Sequence, residues 1–508
     1  MAFTTALFIG AIVLAFFAVR NIHHQIQFRR NAEKLGCKPP PSAQTGFFGI
    51  PAFYRIIQAT KQRRSIEHLS DRYDEYGTTF YQEMLGNITI STIDPENLKA
   101  ILGTQFQDFS LGTRHRQFYP TLGDGIFTSD GAVWAHSRAL LRPQFKRDQI
   151  ADLDLMDGHI TRLIELIPKD GSTFDIQGLF LLLTIDSATH FLFGESVGAM
   201  EEDTIQKKFS SNAQSFADAF NTALDYLAWR TIAQDLYWTI NPKVFRDANR
   251  RVHEVVDYYV QKALVAQTST EQNGDKKDGG RYIFAEALAA DTQDPIVLRD
   301  NMLNILLAGR DTTASFLSST MFLLARNQHI WKKLRDIIVE EFGDSNNPKD
   351  EITQARLKDI PYLRYVLNEV LRLLPPVPLN FRVATKDTTI PTGGGPDGKS
   401  PIAVKKGQEI FYSVYALHRR KDIYGEDADV FRPERWEDLR LVWEYLPFNG
   451  GPRICLGQQY ALTEVSYTLV RLMQRFLTLE NGEPEIIEPV KQWKLNLVHA
   501  GGVKVRLS

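Results

Sequence analysis

The chain opens on an unbroken apolar run: Met1 to Val19 carries no charged side chain. As a helix rising about 1.5 Å per residue it is roughly 28 Å long, enough for a thin bilayer such as that of the endoplasmic reticulum. Arg20, Arg29, Arg30, Lys34 and Lys38 follow it, against the single acid Glu33. The positive-inside rule then keeps the C-terminal side in the cytosol. A cleaved signal peptide needs a basic leading region and a small-residue cleavage site, and neither is evident. The pattern predicts a single-pass anchor over 1–19. A basic linker over 20–46, stiffened by Pro39-Pro40-Pro41, leads to a body over 47–508.

Within that body the period of the apolar positions changes. Thr78 to Leu85 and Ile88 to Ile93 read as short strands, with Gly86-Asn87 as the tight turn. Asp94-Pro95 reads as an N-cap followed by proline at the first helical position. From there to about Gln267 apolar residues recur at helical spacing. Thr268 to Gly280 is polar and rich in Gly, Asp and Lys, a surface loop by composition. Pro391 to Pro401 reads as an exposed hairpin excursion. Pro295 to Asn327 predicts one helix about 50 Å long. The fold class is mainly α with small β-sheets, in a single large domain.

Composition narrows the function. Apolar residues make up 43% and charged residues 24% of the 508, and the formal net charge is -2. These values suit a globular domain with a sizeable core. They give no basic excess for nucleic-acid binding. With only two cysteines, Cys37 and Cys455, a disulfide framework and a four-cysteine zinc site are excluded.

Cys455 sits in Phe448-Asn449-Gly450-Gly451-Pro452-Arg453-Ile454-Cys455-Leu456-Gly457. The glycines and proline predict a backbone that doubles back tightly. Helical spacing begins at Gln458, so the sulfur lies just before a helix N-terminus, where free amides and the helix dipole favour an anion. The segment resembles the haem-binding pattern of the cytochrome P450 family at Phe448, Gly451, Arg453, Cys455 and Gly457. The resemblance implies the cytochrome P450 fold and thiolate-ligated haem, with Cys455 on the iron. Arg453 would meet a haem propionate, and Gly451 and Gly457 would let backbone and porphyrin approach.

Midway along the long helix lies Ala308-Gly309-Arg310-Asp311-Thr312-Thr313. Glycine costs roughly 1 kcal/mol in a helix interior, and a threonine hydroxyl can compete for a backbone carbonyl. A hydroxyl beside a carboxylate can relay protons. The segment resembles the same family's oxygen-activating motif, which implies Thr312 as the oxygen-side hydroxyl and Asp311 as the acid. At 100° per residue Asn301, Ile305, Ala308 and Thr312 share a stripe, so Ile305 and Ala308 are expected to line the substrate space.

Further motifs follow in family order. The resemblance implies a structural network of Glu369 and Arg372 with Arg435. It places Trp134 and Arg138, and also Arg382, on the haem propionates, and it brings Leu379 to the pocket. The oxygen and cysteine motifs, with the Gly393-Gly394-Gly395-Pro396-Asp397-Gly398 insertion, look like the fungal alkane- and fatty-acid-hydroxylating subfamily. Similar frameworks also serve as tailoring oxidases in secondary metabolism. The expected activity is insertion of one oxygen atom of dioxygen into an aliphatic C–H bond. By resemblance, electrons come from a membrane-bound NADPH-dependent cytochrome P450 reductase, docked on a basic surface that includes Arg142, Lys146 and Arg147. The expected location is the endoplasmic reticulum membrane. An isomerase or dehydratase working without external electrons, and a haem sensor without turnover, are the rival readings. The intact Asp311-Thr312 pair argues against both.

Overall fold

A computed structural model describes residues 2–145, 153–201, 215–273 and 282–508. The strands are β1 (Thr79–Met84), β2 (Asn87–Thr92), β3 (Phe109–Ser110), β4 (Phe174–Asp175), β5 (Leu379–Ala384), β6 (Thr388–Gly394), β7 (Ser400–Val404), β8 (Glu409–Ser413), β9 (Leu479–Asn481), β10 (Lys491–Trp493), β11 (Leu497–His499) and β12 (Lys504–Leu507). They form one five-stranded sheet in the order β1-β2-β8-β5-β3, plus small sheets β4-β12-β9, β6-β7 and β10-β11. The rest of the described chain is largely helical, as expected.

The helix Pro295–Arg326 organises the body. Asp294 caps it by accepting from the amides of Ile296 and Val297 at 2.9 and 3.3 Å, with Pro295 next. Its N-terminal half (Leu298, Met302, Leu303, Ile305, Leu306) belongs to one apolar core. Its C-terminal half (Ala314, Phe316, Leu317, Met321, Phe322) belongs to another. Between them, Leu307, Ala308, Gly309, Asp311, Thr312 and Thr313 face a cavity instead. The break between two packed cores is thus where the Ala308–Thr313 motif of this helix lies open.

The same helix fixes the cavity wall opposite. Asp300 accepts from the Asp124 amide at 2.8 Å, and Asn304 accepts from the Phe127 amide at 3.1 Å while donating to the Leu122 carbonyl at 3.0 Å. Gly123 has φ +58°, and a Cβ there would lie 2.0 Å from the Asp300 carboxylate, so only glycine fits. The helix Ile176–Phe193 packs on the long helix. It is long and apolar enough to cross a membrane, but most of it is buried in the body. Its Ser187 hydrogen-bonds Glu464 on the helix Gln458–Arg475, which follows Cys455.

Several expectations are corrected. The β1–β2 turn is Leu85-Gly86, not Gly86-Asn87: Met84 pairs with Asn87, and both turn residues have positive φ, 50° and 83°. This hairpin geometry requires left-handed backbone at both centres. The helix Lys243–Asn273 runs past Gln267 into the segment read as loop; residues 274–280 lie outside the described residues. Pro391 to Gly394 is strand; the hairpin tip at Pro396, Asp397 and Lys399 is exposed as expected, while Gly393 and Gly394 are buried. Gly394 abuts the linker, where a Cβ would lie 2.4 Å from the Lys38 carbonyl.

The linker itself is not free. The first helix continues from Ala2 through the predicted boundary to Lys34. It ends in a glycine cap: Gly36 has φ +69°, and the amides of Gly36 and Cys37 bond Glu33 and Ala32 carbonyls at 3.0 and 2.9 Å. The chain then docks. The Lys38 amide donates to Pro401, the Gly395 amide to Pro39 and the Tyr81 amide to Pro41, at 2.9, 3.0 and 2.7 Å. His24 approaches Asp387 at 3.3 Å, and Lys405 lies over the Phe28 ring at 5.3 Å. Prolines cannot donate but still accept, so this segment joins the β6–β7 hairpin through the Lys38 amide and the Pro39 carbonyl, and β1 through the Pro41 carbonyl. Towards its start, Phe8, Ile9, Ile12, Leu14, Phe16 and Phe17 remain exposed.

Candidate active site

A cavity of about 400 Å³ lies between the long helix and the Cys455 loop. Of the expected site residues, Cys455, Phe448, Arg453, Gly457, Trp134, Arg138, Arg382, Thr312, Asp311, Ile305, Ala308 and Leu379 all line it. Gly451 and Asn301 do not. Gly451 has φ +67°, and a Cβ there would lie 1.8 Å from the Leu102 carbonyl. The packing of the loop on the turn Ala100–Thr104 by itself requires glycine there. At Gly457 a Cβ would meet only Phe145, at an ordinary 3.6 Å. Asn301 is fully buried and bonds the Val297 carbonyl at 2.8 Å.

The Cys455 loop closes on itself through the Cys455 amide, which donates to the Phe448 carbonyl at 3.0 Å. The sulfur opens only into the cavity. Burial there pushes the thiol above its usual range, more than the Gly457 amide and the Arg138 charge pull it down. The Gly457 amide at the helix start does favour the anion, as expected, but desolvation is the larger effect in the protein alone. A cation on the sulfur would reverse the balance. Among the described residues no group of three or more His, Cys, Asp or Glu side chains could hold a metal. Cys455 can therefore offer a metal one protein donor, and the other ligands must come with the group that binds.

Guanidiniums crowd the edge of the cavity. Arg138 on the helix Gly131–Gln144 donates to the Ile454 carbonyl at 3.0 Å and lies over Trp134. Arg453 is held by Asp130 at 2.7 Å and by the carbonyls of Ile126 and Ser129, under the Trp134 ring at 4.5 Å. Arg382 Nε is buried without a hydrogen-bond partner. Arg114, which sequence reasoning missed, shares the Asn380 side-chain oxygen with Arg382, at 2.6 and 3.4 Å. Burial first, then the neighbouring Arg382 charge, lowers Arg114 to about 9; burial lowers Arg453 to about 10. Like charges crowded together and desolvated call for anions. Arg114 carries no family-motif signal in a single sequence, and only its neighbours reveal it.

On the opposite wall the Thr312 hydroxyl donates to the Ala308 carbonyl at 2.6 Å, the local competition foreseen for this helix. Asp311 pairs with Arg310 at 3.0 Å, and its backbone carbonyl accepts from Asn496 at 3.0 Å. Burial raises the Asp311 carboxyl above its usual range, against the pull of Arg310 and Lys494.

The cytochrome P450 family model matches residues 45–502. This chain belongs to the cytochrome P450 family. Cytochrome P450 52A12 of Debaryomyces hansenii is 48% identical over 508 residues, covering 98% of this chain and 97% of the relative. Cytochrome P450 52A3-B of Candida maltosa is 49% identical over 497 residues, with 96% and 93% covered. Cytochrome P450 52A6 of Candida tropicalis is 46% identical over 506 residues, with 97% and 95% covered. The chain is a monooxygenase of this family, and its cofactor is thiolate-ligated haem. The cavity fits that group: a single sulfur donor, an apolar slot, and a cluster of arginines, one with an orphaned N–H, for the two propionates.

The third motif is a buried network. Glu369 accepts from Arg372 at 2.9 and 2.8 Å, from Arg435 at 2.9 Å, from the Trp436 indole at 2.9 Å and from the Arg432 amide at 3.1 Å. It ties the helix Pro361–Leu373 to the turn Pro433–Glu437, ahead of the cysteine loop. Arg142 is exposed; Lys146 and Arg147, the other residues expected to dock a reductase, lie outside the described residues.

Proposed function

We propose that this P450 hydroxylates an aliphatic chain, a fatty acid or an alkane, with electrons from an NADPH-dependent reductase. The observation that carries this reading is the cavity. Apart from the arginine cluster and a few polar side chains, its walls are largely apolar and aromatic, including Phe118, Phe127, Ile305, Phe381 and Phe411. Such a lining favours an alkyl chain by burial. Likeness to 52A relatives, a subfamily of alkane and fatty-acid hydroxylases, supports the same substrate class.

Cys455 ligates the iron, and Arg114, Arg138, Arg382 and Arg453 with Trp134 hold the propionates. Bound haem supplies the activation of dioxygen. Asp311, kept protonated to higher pH by burial, holds a proton beside Thr312, whose hydroxyl passes it to the cavity. Ile305, Ala308 and Leu379 steer the chain. The exposed apolar start of the first helix anchors the protein in the endoplasmic reticulum membrane, and the body over 47–508 remains cytosolic.

The test is reconstitution of the full chain with reductase and NADPH on dodecanoate and hexadecane, with products read by mass spectrometry. Hydroxylated chains that require NADPH are expected. Products formed without NADPH would favour an isomerase and sink the proposal. Thr312→Ala should lower product per NADPH by on the order of tenfold or more while NADPH is still consumed; unchanged coupling would remove Thr312 from the relay. Deleting residues 1–20 should keep haem content and release protein from the membrane fraction. Haem loss on that deletion would contradict the boundary of the body.

A further inference from the structure

Away from Cys455 the cavity ends on one face of the five-stranded sheet. Gln82 of β1 pairs with Thr89 of β2. Ile90 pairs with Ile410 in parallel, so Thr89 stands beside Glu409 of β8, itself opposite Val383 of β5. Cross-strand partners point to the same side, so Gln82 and Glu409 share this face, and both line the cavity. Phe381 and Phe411 lie on it too, leaving an apolar path inward.

The two polar groups are set for a ligand. Arg72 donates to the Gln82 side-chain oxygen at 2.8 Å. Since arginine only donates, that contact fixes the amide orientation and leaves the Gln82 NH2 group to donate elsewhere. The Glu409 carboxyl makes no hydrogen bond or ion pair with any described residue, although it borders the cavity. Burial raises it to about 7; Arg114, on the helix Arg114–Leu122, opposes this, and Asp235, on the turn Gln234–Thr239, adds to it. Arg114 is turned to Asn380 and sits over the Phe381 ring at 4.5 Å, so it does not neutralise Glu409 by contact.

We propose that Glu409 and Gln82 form a head-group subsite that takes the carboxylate of a fatty acid, Glu409 donating its proton to that carboxylate and Gln82 its amide hydrogens. The terminal methyl is then the end directed to Thr312 and Cys455. No covalent bond changes; one proton accompanies the acid into the cavity. The inference rests on the chain-hydroxylation reading and adds the end of the substrate that is held. Its sign follows from the raised carboxyl. Below about 7, Glu409 carries the proton and can donate; above it, two carboxylates would face each other and repel.

The experiment is calorimetric titration of the haem-loaded full chain in detergent with dodecanoate, below its micellar concentration, and with 1-dodecanol. Titrations at about pH 6.5 and about pH 8.5, in buffers of different ionisation enthalpy, report affinity and proton uptake. Dodecanoate should bind about tenfold or more tightly at the lower pH, with uptake of about one proton at the higher. Dodecanol should show neither effect. Glu409→Gln, a permanent neutral donor, should hold dodecanoate equally at both pH values. Glu409→Ala should weaken dodecanoate at the lower pH and spare dodecanol. A dodecanoate affinity independent of pH, or a pH dependence that survives in Glu409→Gln, overturns the subsite while hydroxylation of the chain can still stand. Failure of both ligands to bind overturns the chain reading and the subsite with it.

Discussion

Cys455→Ser should abolish the red-shifted Soret band of the reduced carbon-monoxide complex and leave the protein folded. Cys455 is the proposed donor to iron, and a serine hydroxyl is far less readily ionised. The other cysteine, Cys37, cannot substitute: it stands at the end of the first helix, where the linker docks on the β6–β7 hairpin. The fold should survive because the loop is closed by the Cys455 amide on the Phe448 carbonyl and by the positive φ of Gly451, neither of which uses the sulfur. Buried thiols contribute mainly as small apolar groups, so the loss in stability should be small. The difference spectrum and a circular-dichroism melt on the same sample check both halves. A retained band would remove Cys455 from the iron. A lost band with a lost fold would leave the ligand unassigned, and Cys455→Ala, read the same way, would decide it.

Glu369→Ala should have the larger effect on the fold. Glu369, Arg372 and Arg435 are at most 5% exposed. Both guanidiniums are otherwise satisfied by carbonyls: Arg372 by His418 and Ala428, Arg435 by Tyr424 and Asp427. Removing Glu369 leaves Arg372 buried without a carboxylate partner, Arg435 with only the partly exposed Asp427 at 3.3 Å, and the Trp436 indole without an acceptor. Breaking a buried pair this way costs about 3–5 kcal/mol, a large share of the roughly 5–15 kcal/mol that holds a domain together. The expected result is little soluble protein, low haem content and a lowered Tm. Glu369→Gln keeps the shape and an acceptor and should fall between. A melt of Glu369→Ala within about 2 °C of the parent would show that the network contributes nothing measurable.

What was readable from sequence was local. Asp94-Pro95 caps its helix as expected, because a cap needs only a side-chain oxygen two or three residues away; Asp294-Pro295 uses the same device. The stripe Ile305, Ala308 and Thr312 faces the cavity because helical periodicity sets direction. The same periodicity failed one turn earlier, at Asn301, where the apolar core closes over the helix. Gly451 was read as room for a porphyrin; its positive φ and the nearby Leu102 carbonyl, which sequence does not show, also require it. The linker was read as a spacer because its own residues show only stiffness; its docking depends on the hairpin residues Gly394 and Pro401.

By itself the sequence determined the family, and it put Cys455 before a helix start and Asp311-Thr312 midway along a long helix, because those rest on residues close together in the chain and on spacings that backbone geometry converts into faces. Tertiary structure alone decided the rest. It set the crowding of Arg114 with Arg382 and Arg453, the desolvation of the Cys455 thiol, and the placing of Gln82 on the same sheet face as Glu409 at the far end of the cavity. Each of these is a matter of desolvation and charge between groups from distant segments. Such terms depend on what lies across a gap of a few ångströms, a distance that sequence separation does not encode.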